Sequence, residues 1–286
     1  MTVKINSVVL MSDARNFDDS AAINPYMDKD VVIDRNQAQY EHDEIQAALK
    51  DAGVKVIQVP SPAGCQDGVY TANWALVQGN TAILSRLPNA RKAEEAYAEH
   101  VLKALGKKVI HVPKDLRFSG QGDALPCGKY LFAGSGYRTD KKVHKFLATT
   151  LDLEVISLQT VPQLDDAGQP VINASSGWPD SFFYDIDLAL AVLSPNLIAW
   201  CPEAFLPKSQ AILRALPIRK IEVSLDEAMG SFACNLVSTG KTVIMGANAP
   251  IFKAAVESEG LTVVTPEINE LVKGGGYIRC TTLTLN

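Results

Sequence analysis

The chain has 286 residues, 47% of them hydrophobic and 21% charged, and a formal net charge of −5. It carries no basic run and no aromatic-basic stripe, which removes the electrostatic footprint of a nucleic-acid binder and leaves small-molecule chemistry. Its five cysteines form no CxxC pair and no even framework, which excludes a disulfide-stapled secreted domain and a structural zinc site and points to a reducing compartment.

In chain order, Met1–Ser12 reads as a first strand, lacking the apolar run of a signal peptide or the roughly 18 apolar residues of a membrane span, so a cytoplasmic protein with no membrane partner is expected. A pattern then recurs in which a helical segment ends and a short β-branched strand follows. It falls at residues 51–60, 104–113, 151–158, 215–224 and 258–266, about every 50 residues. Between these lie further strands, at Ala75–Val77 with Thr81–Leu84, Tyr130–Gly134, Leu188–Leu193 and Thr242–Met245. Each unit reads as strands plus one helix. Such a period signals an array or propeller, while an ordinary α/β sheet also shows helix-then-strand steps. No linker or low-complexity stretch divides the chain, so 1–286 reads as one domain.

Chemistry-bearing blocks follow the same order. They are Ile23-Asn24-Pro25-Tyr26-Met27, Gln66-Asp67-Gly68 through Thr71-Ala72-Asn73, Arg91 with Glu94-Glu95, Phe118-Ser119-Gly120-Gln121-Gly122-Asp123, Gly134-Ser135-Gly136-Tyr137-Arg138-Thr139, Phe183-Tyr184-Asp185-Ile186-Asp187, Phe232-Ala233-Cys234-Asn235 and Gly274-Gly275-Gly276-Tyr277-Ile278-Arg279-Cys280. A glycine run lets the backbone turn tightly and approach a ligand, which makes Cys280 the candidate nucleophile. Cys65, Cys127, Cys201 and Cys234 read as buried small apolar residues. Alternation in Asp185-Ile186-Asp187 would put both acids on one face of a strand. Arg91 has Glu94 and Glu95 as ready helix partners, and His144 reads as a helix residue. Trp74, Trp178 and Trp200 read as core or pocket wall.

Taken together and in order, these blocks resemble the guanidine-modifying pentein enzymes, which include arginine deiminases, dimethylarginine hydrolases, amidinotransferases and arginine dihydrolases. The dihydrolases share the Ile-Asn-Pro, Thr-Ala-Asn and Phe-Ala-Cys-Asn blocks. The resemblance implies a five-bladed pseudo-symmetric α/β propeller of strand-strand-helix-strand repeats, with the site on its central axis and 1–286 forming a single catalytic domain. It implies Cys280 as nucleophile and Asp187, Asp123 and Asp67 as carboxylates near the guanidinium. Asn73 stands where deiminase-type members carry an aspartate. Arg138 and Arg91 match positions that hold an α-carboxylate, and Asn24 adds a polar contact to the amino-acid end. No metal or organic cofactor is implied, and a homo-oligomer is compatible with the fold.

Two positions depart from the family pattern. Asp185 replaces the histidine that serves as general acid/base, and Ser119 replaces a glutamate; His42, His100, His111 and His144 all lie elsewhere. Either Asp185 shuttles protons, with its pKa raised by burial and nearby acids, or it is an extra anion for a different cation. The expected function is cysteine-dependent hydrolysis of the guanidino group of arginine or an arginine-like amino acid through a covalent thiouronium. The alternatives are an amidinotransferase, or a silent or reassigned pentein that binds a cationic amino-acid metabolite.

Overall fold

Each helix-to-strand junction read from the sequence completes a three-stranded sheet. The computed structural model describes residues 4–25, 27 and 31–286. Met1–Val3 of the expected first strand and Tyr26 of the Ile-Asn-Pro block lie outside those residues.

The first sheet contains β1 (Val8–Met11) and β2 (Lys55–Gln58), joined by α1 (Arg35–Asp51). The second is β3 (Ala75–Gln78), β4 (Thr81–Leu84), α2 (Lys92–Ala104) and β5 (Lys108–His111). The third is β6 (Ala124–Cys127), β7 (Tyr130–Ala133), α3 (Val143–Leu151) and β8 (Glu154–Ser157). The fourth is β9 (Leu190–Ser194), β10 (Leu197–Trp200), α4 (Pro207–Ala215) and β11 (Arg219–Glu222). A short helix α5 (Leu225–Gly230) leads to the fifth, with β12 (Val237–Ser238), β13 (Thr242–Ile244), α6 (Pro250–Ser258) and β14 (Thr262–Val264). Finally β15 (Leu283–Thr284) returns to pair antiparallel with β1, so the last strand completes the first sheet.

Every sheet is mixed in the same way, with an antiparallel pair followed by a strand parallel to the middle one. An antiparallel pair closes with a tight turn, whereas a parallel strand needs a crossover, and the helix supplies it. Asp34 starts the first crossover by accepting from the Asn36 and Gln37 amides. The architecture is therefore mixed α/β, built from five small mixed sheets.

Burial grades across each sheet. The first and middle strands are almost wholly buried, while the third strands begin with an exposed residue. The first strands approach one another, β15 against β3, β6 against β9 and β9 against β12. Just ahead of each first strand lies an irregular, buried segment: 3₁₀ turns at Thr71–Trp74, Gly120–Gly122 and Ile186–Leu188, and the turns that carry Asn235 and Cys280. The strand expected over Leu188–Leu193 is thereby corrected to β9 at Leu190–Ser194, and Asp185 and Asp187 flank and occupy a turn, not a strand. No helix among the described residues is long and apolar enough to cross a membrane.

Candidate active site

The segments ahead of the first strands converge on a cluster of buried polar side chains. Asp123, Asp185, Asp187, Asn73, Asn235 and Cys280 are each at most 4% exposed. Asp185 Oδ2 accepts from Asn73 Nδ2 at 2.7 Å and from Ser119 Oγ at 3.0 Å. Ser119 and Asp185, the two positions that depart from the pattern the resemblance implies, thus touch each other.

Glycine makes this packing feasible. A Cβ on Gly122 would overlap Asn73 Nδ2 and Asp185 Oδ2, and one on Gly134 would overlap Asp123 Oδ1. Asp123 Oδ1 accepts from the Ile186 amide at 3.1 Å, tying the third unit to the fourth.

The Cys280 S–H faces Asp187 Oδ2 at 3.4 Å, and Asn235 Nδ2 donates to Sγ at 3.1 Å. Burial, then the neighbouring Asp187, pushes the thiol well above its ordinary value. Burial also pushes the acids up: Asp67 to about 7 against the pull of Arg91, and Asp123 to about 8 with help from Asp185. Asp187 rises well above the carboxylate range through burial and the charge of Asp185. Asp185 rises through burial, opposed by the hydrogen bonds from Ser119 and Asn73. The charge of Asp185 raises both Asp123 and Asp187, so ionising one of these acids disfavours ionising the next.

Arg91 is tied on both sides. Its Nε and one terminal nitrogen grip Glu94 at 2.9 and 2.8 Å, and the other terminal nitrogen donates to Asn73 Oδ1 at 2.9 Å. Its remaining contacts are the Asp67 and Tyr70 carbonyls, each at 3.2 Å. The guanidinium thereby fixes which way the Asn73 amide points, with its NH₂ towards Asp185. Arg138 is held differently. It donates to the Ile23 carbonyl and lies over the Tyr184 ring at 4.9 Å and the Trp178 ring at 5.9 Å, while its Nε has no hydrogen-bond partner among the described residues. Asn24 Nδ2 donates to the Gly274 carbonyl at 3.0 Å.

A small cavity is lined by seven of the ten sequence-expected residues: Asn24, Asp67, Asn73, Arg91, Ser119, Arg138 and Asp185, together with Tyr70 and Tyr184. Asp123, Asp187 and Cys280 lie outside that lining. Its free space of about 20 Å³ holds about one water, so the wall must part to admit an amino acid. A larger cavity of about 280 Å³ lies at the far ends of the first strands and reaches Asp187, Arg279 and Gln121 from behind. The smaller one is the better candidate for substrate, since it holds both the acids and the two arginines.

The triple glycine both turns the backbone and packs it tightly. Gly275 adopts φ +81°, which favours glycine, but Cβ atoms on Gly274 and Gly276 would collide with the Tyr70 ring and hydroxyl. The run lets backbone pack on an aromatic ring. Glu41 of α1, fully buried, holds the segment from outside by accepting from the Asn269, Glu270 and Leu271 amides. Sequence reasoning missed Glu41, whose position in a helix gave no signal, and it missed Asn235 although the Phe-Ala-Cys-Asn block was in view. The other four cysteines are buried and free, as expected. No histidine lines the small cavity: His144 sits in α3 with both ring nitrogens engaged, at 2.7 Å to the Gly134 carbonyl and 2.8 Å to Ser157 Oγ.

Buried acids beside a cysteine, set in repeated mixed α/β units, form the arrangement that the resemblance to the guanidine-modifying penteins implies. More particularly, a family model described as N,N dimethylarginine dimethylhydrolase, eukaryotic, matches residues 14–286, and the chain belongs to that family. It is 33% identical over 270 residues to the N(G),N(G)-dimethylarginine dimethylaminohydrolase of Mycobacterium tuberculosis, covering 93% of this chain and 81% of that protein. It is 31% identical over 280 residues to the bifunctional arginine dihydrolase/ornithine cyclodeaminase AgrE of a Nostoc species, covering 96% of this chain but only 37% of that longer protein. The N-terminal domain of ArgZ, a cyanobacterial arginine dihydrolase solved with bound product, superposes with a TM-score of 0.87 at 29% identity over 98% of this chain and 97% of that one. A variant of that domain has been solved covalently bound to a reaction intermediate.

Proposed function

We propose that residues 1–286 form one catalytic domain, a five-bladed propeller whose first strands ring the axis, and that it hydrolyses the guanidino group of arginine or an arginine-like amino acid with Cys280 as nucleophile. The blade reading is supported by five sheets of one topology and by the closure of β15 onto β1. The observation that carries the chemistry is the buried cluster of Asp123, Asp185 and Asp187 beside the Cys280 thiol, next to a small cavity that Asp185 and the stacked Arg138 both line.

Arg138 suits a carboxylate, because an edge of its guanidinium is unpaired and its face is fixed by two rings. Arg91 acts mainly through Asn73, since Glu94 and two carbonyls already take most of its donors. A guanidinium brought beside Asp67 and Asp187 favours their ionised forms and the thiolate together, while Asp185 keeps its proton. The substrate thus activates its own nucleophile.

As the Sγ–C bond forms, the thiol proton passes to the ionised Asp187, which it already faces. A proton held on Asp185, whose carboxyl burial pushes up, passes to the departing nitrogen as the C–N bond breaks, and ammonia or an amine leaves. Water then adds to the thiouronium carbon and returns one proton to Asp185; the C–S bond breaks as Asp187 gives the sulfur back its proton, and the last proton leaves on the released ammonia or amine, giving a ureido product and free Cys280. A second attack, on the ureido carbon, would release ornithine, as in a dihydrolase. Asn73 Nδ2, 2.7 Å from Asp185, orients that carboxyl.

Ammonia and amine release from arginine, methylated arginines, citrulline and agmatine tests this reading across pH. Asp185→Asn should lower turnover by about 10²-fold or more, the usual worth of a proton-transfer group. Joint Asp185→His and Ser119→Glu should retain turnover with a shifted pH profile. Unchanged turnover in Asp185→Asn would remove Asp185 from the mechanism. The missing histidine also favours a second reading, a binder whose substrate has been reassigned; it requires tight binding of one of these compounds with no product from any.

A further inference from the structure

We propose that Asn235 is a positioning residue for the reaction: it fixes the Cys280 sulfur at the mouth of the acid cluster and donates the hydrogen bond that holds it there as a thiolate. The inference rests on Cys280 being the nucleophile.

Asn235 is fully buried, and its two amide ends do different things. Oδ1 accepts from the Arg279 amide at 3.0 Å and the Cys280 amide at 3.2 Å. Nδ2 donates to Cys280 Sγ at 3.1 Å. Because two backbone N–H groups point at Oδ1, the opposite amide orientation would set donors against donors, so the NH₂ must face the sulfur. One side chain therefore grips both the backbone and the sulfur of the same cysteine.

The turn that presents Asn235 is costly and over-determined. Phe232 adopts φ +49°, unusual for a bulky residue, and its carbonyl accepts from the Asn235 amide at 2.8 Å. The Phe232 ring is fixed between Phe182 and Tyr277, at centroid distances of 5.7 and 5.8 Å. Tyr277 lies on the Cys280 loop, so the aromatic stack and the Asn235 amide dock the same two segments.

The sulfur needs such a donor. The charges of Asp187 and Asp185 disfavour a thiolate, and the Tyr70 phenol carries no positive charge. Arg279, next in the chain, turns its guanidinium away to the Thr282 carbonyl at 2.7 Å and Gln121 Oε1 at 2.9 Å. Asn235 supplies the side-chain donor, with the Tyr277 backbone assisting. By position it is also the fifth unit's counterpart of Asn73 and Asp123, each just ahead of a first strand.

Asn235→Asp separates this role from a structural one. The new carboxylate keeps acceptors for the Arg279 and Cys280 amides and removes the donor to Sγ. Alkylation of Cys280 by iodoacetamide, followed by peptide mass across pH, should slow about tenfold at fixed pH and shift its midpoint up by about one unit, equivalent to about 1.4 kcal/mol; kcat should fall with KM little changed. If circular dichroism shows that Asn235→Asp is unfolded, Asn235→Ser, whose shorter hydroxyl cannot span to Sγ, takes its place with the same direction expected. A wild-type alkylation profile in the folded variant overturns the inference. Cys280→Ser with full turnover would instead sink the nucleophile reading itself, and an inactive Cys280→Ser beside an unshifted Asn235→Asp would sink this inference alone.

Discussion

The outer and inner halves of each unit obey different physics. Outside, the crossover helices and third strands are regular, half-exposed and held by ordinary means: an Asp34 cap, an apolar helix face, and surface pairs such as Lys103 with Glu99 at 2.7 Å. Inside, the segments ahead of the first strands are short and irregular and bury Asp185, Asp187 and Asn73 almost completely, and the inner end of α2 adds the buried pair Arg91 and Glu94. The outer half can be altered with little consequence because water screens and replaces its polar contacts. The inner half cannot, because each buried polar group depends on a specific partner.

Substitutions chosen from the two halves should separate steeply. Cys280→Ser should abolish turnover, by at least about 10³-fold, while leaving the melting temperature near wild type, since serine fills nearly the same buried space. Thermal unfolding alongside ammonia release would check both parts. Glu94→Ala should cost about 3–5 kcal/mol in denaturant unfolding, because it strands a buried arginine whose Nε and Nη grip it. It should also weaken activity through Asn73, which Arg91 orients.

A pH series tests the inner half without mutation. Asp67 and Asp123 have folded values raised to about 7 and about 8, so they bind protons more tightly folded than unfolded. Their contribution to stability is present below the ordinary carboxylate range and is lost as pH rises towards 8. A guanidinium ligand reverses this preference, so binding near pH 6 should release protons, which calorimetry in buffers of different ionisation enthalpy would detect. The smallest effect belongs outside: Lys103→Ala should change stability by no more than about 0.5 kcal/mol, the usual worth of a helix-surface pair.

The same division explains what could be read from the chain. All five helix-to-strand junctions were legible, because β-branched runs after an amphipathic helix are local signals, and β2, β5, β8, β11 and β14 fall within them. Of the motif residues, Asn24, Asp67, Asn73, Arg91, Ser119, Arg138 and Asp185 line one small cavity, while Cys280, Asp123 and Asp187 do not. The turn at Ile186–Leu188 was misread because Asp-Ile-Asp alternates as a strand would, and only the bond from the Ile186 amide to Asp123, a residue of another unit, shows why it turns. The reason for Gly274 and Gly276 was hidden for a similar cause: their neighbour, Tyr70, is distant in sequence. Asn235 and Glu41 act on backbone amides far along the chain, and such pairings leave no periodic trace.

The central claim is that Cys280 attacks a guanidino carbon while Asp185 stands in for histidine. Rapid-quench intact-protein mass spectrometry with arginine and methylated arginines tests it most directly, run on the wild type, Cys280→Ser and Asp185→Asn. The expected result is a substrate-dependent mass gain on the wild type that maps to Cys280, is absent in Cys280→Ser, and forms or decays slowly in Asp185→Asn. Product release with an unmodified Cys280, at equal rates in all three proteins, would contradict it.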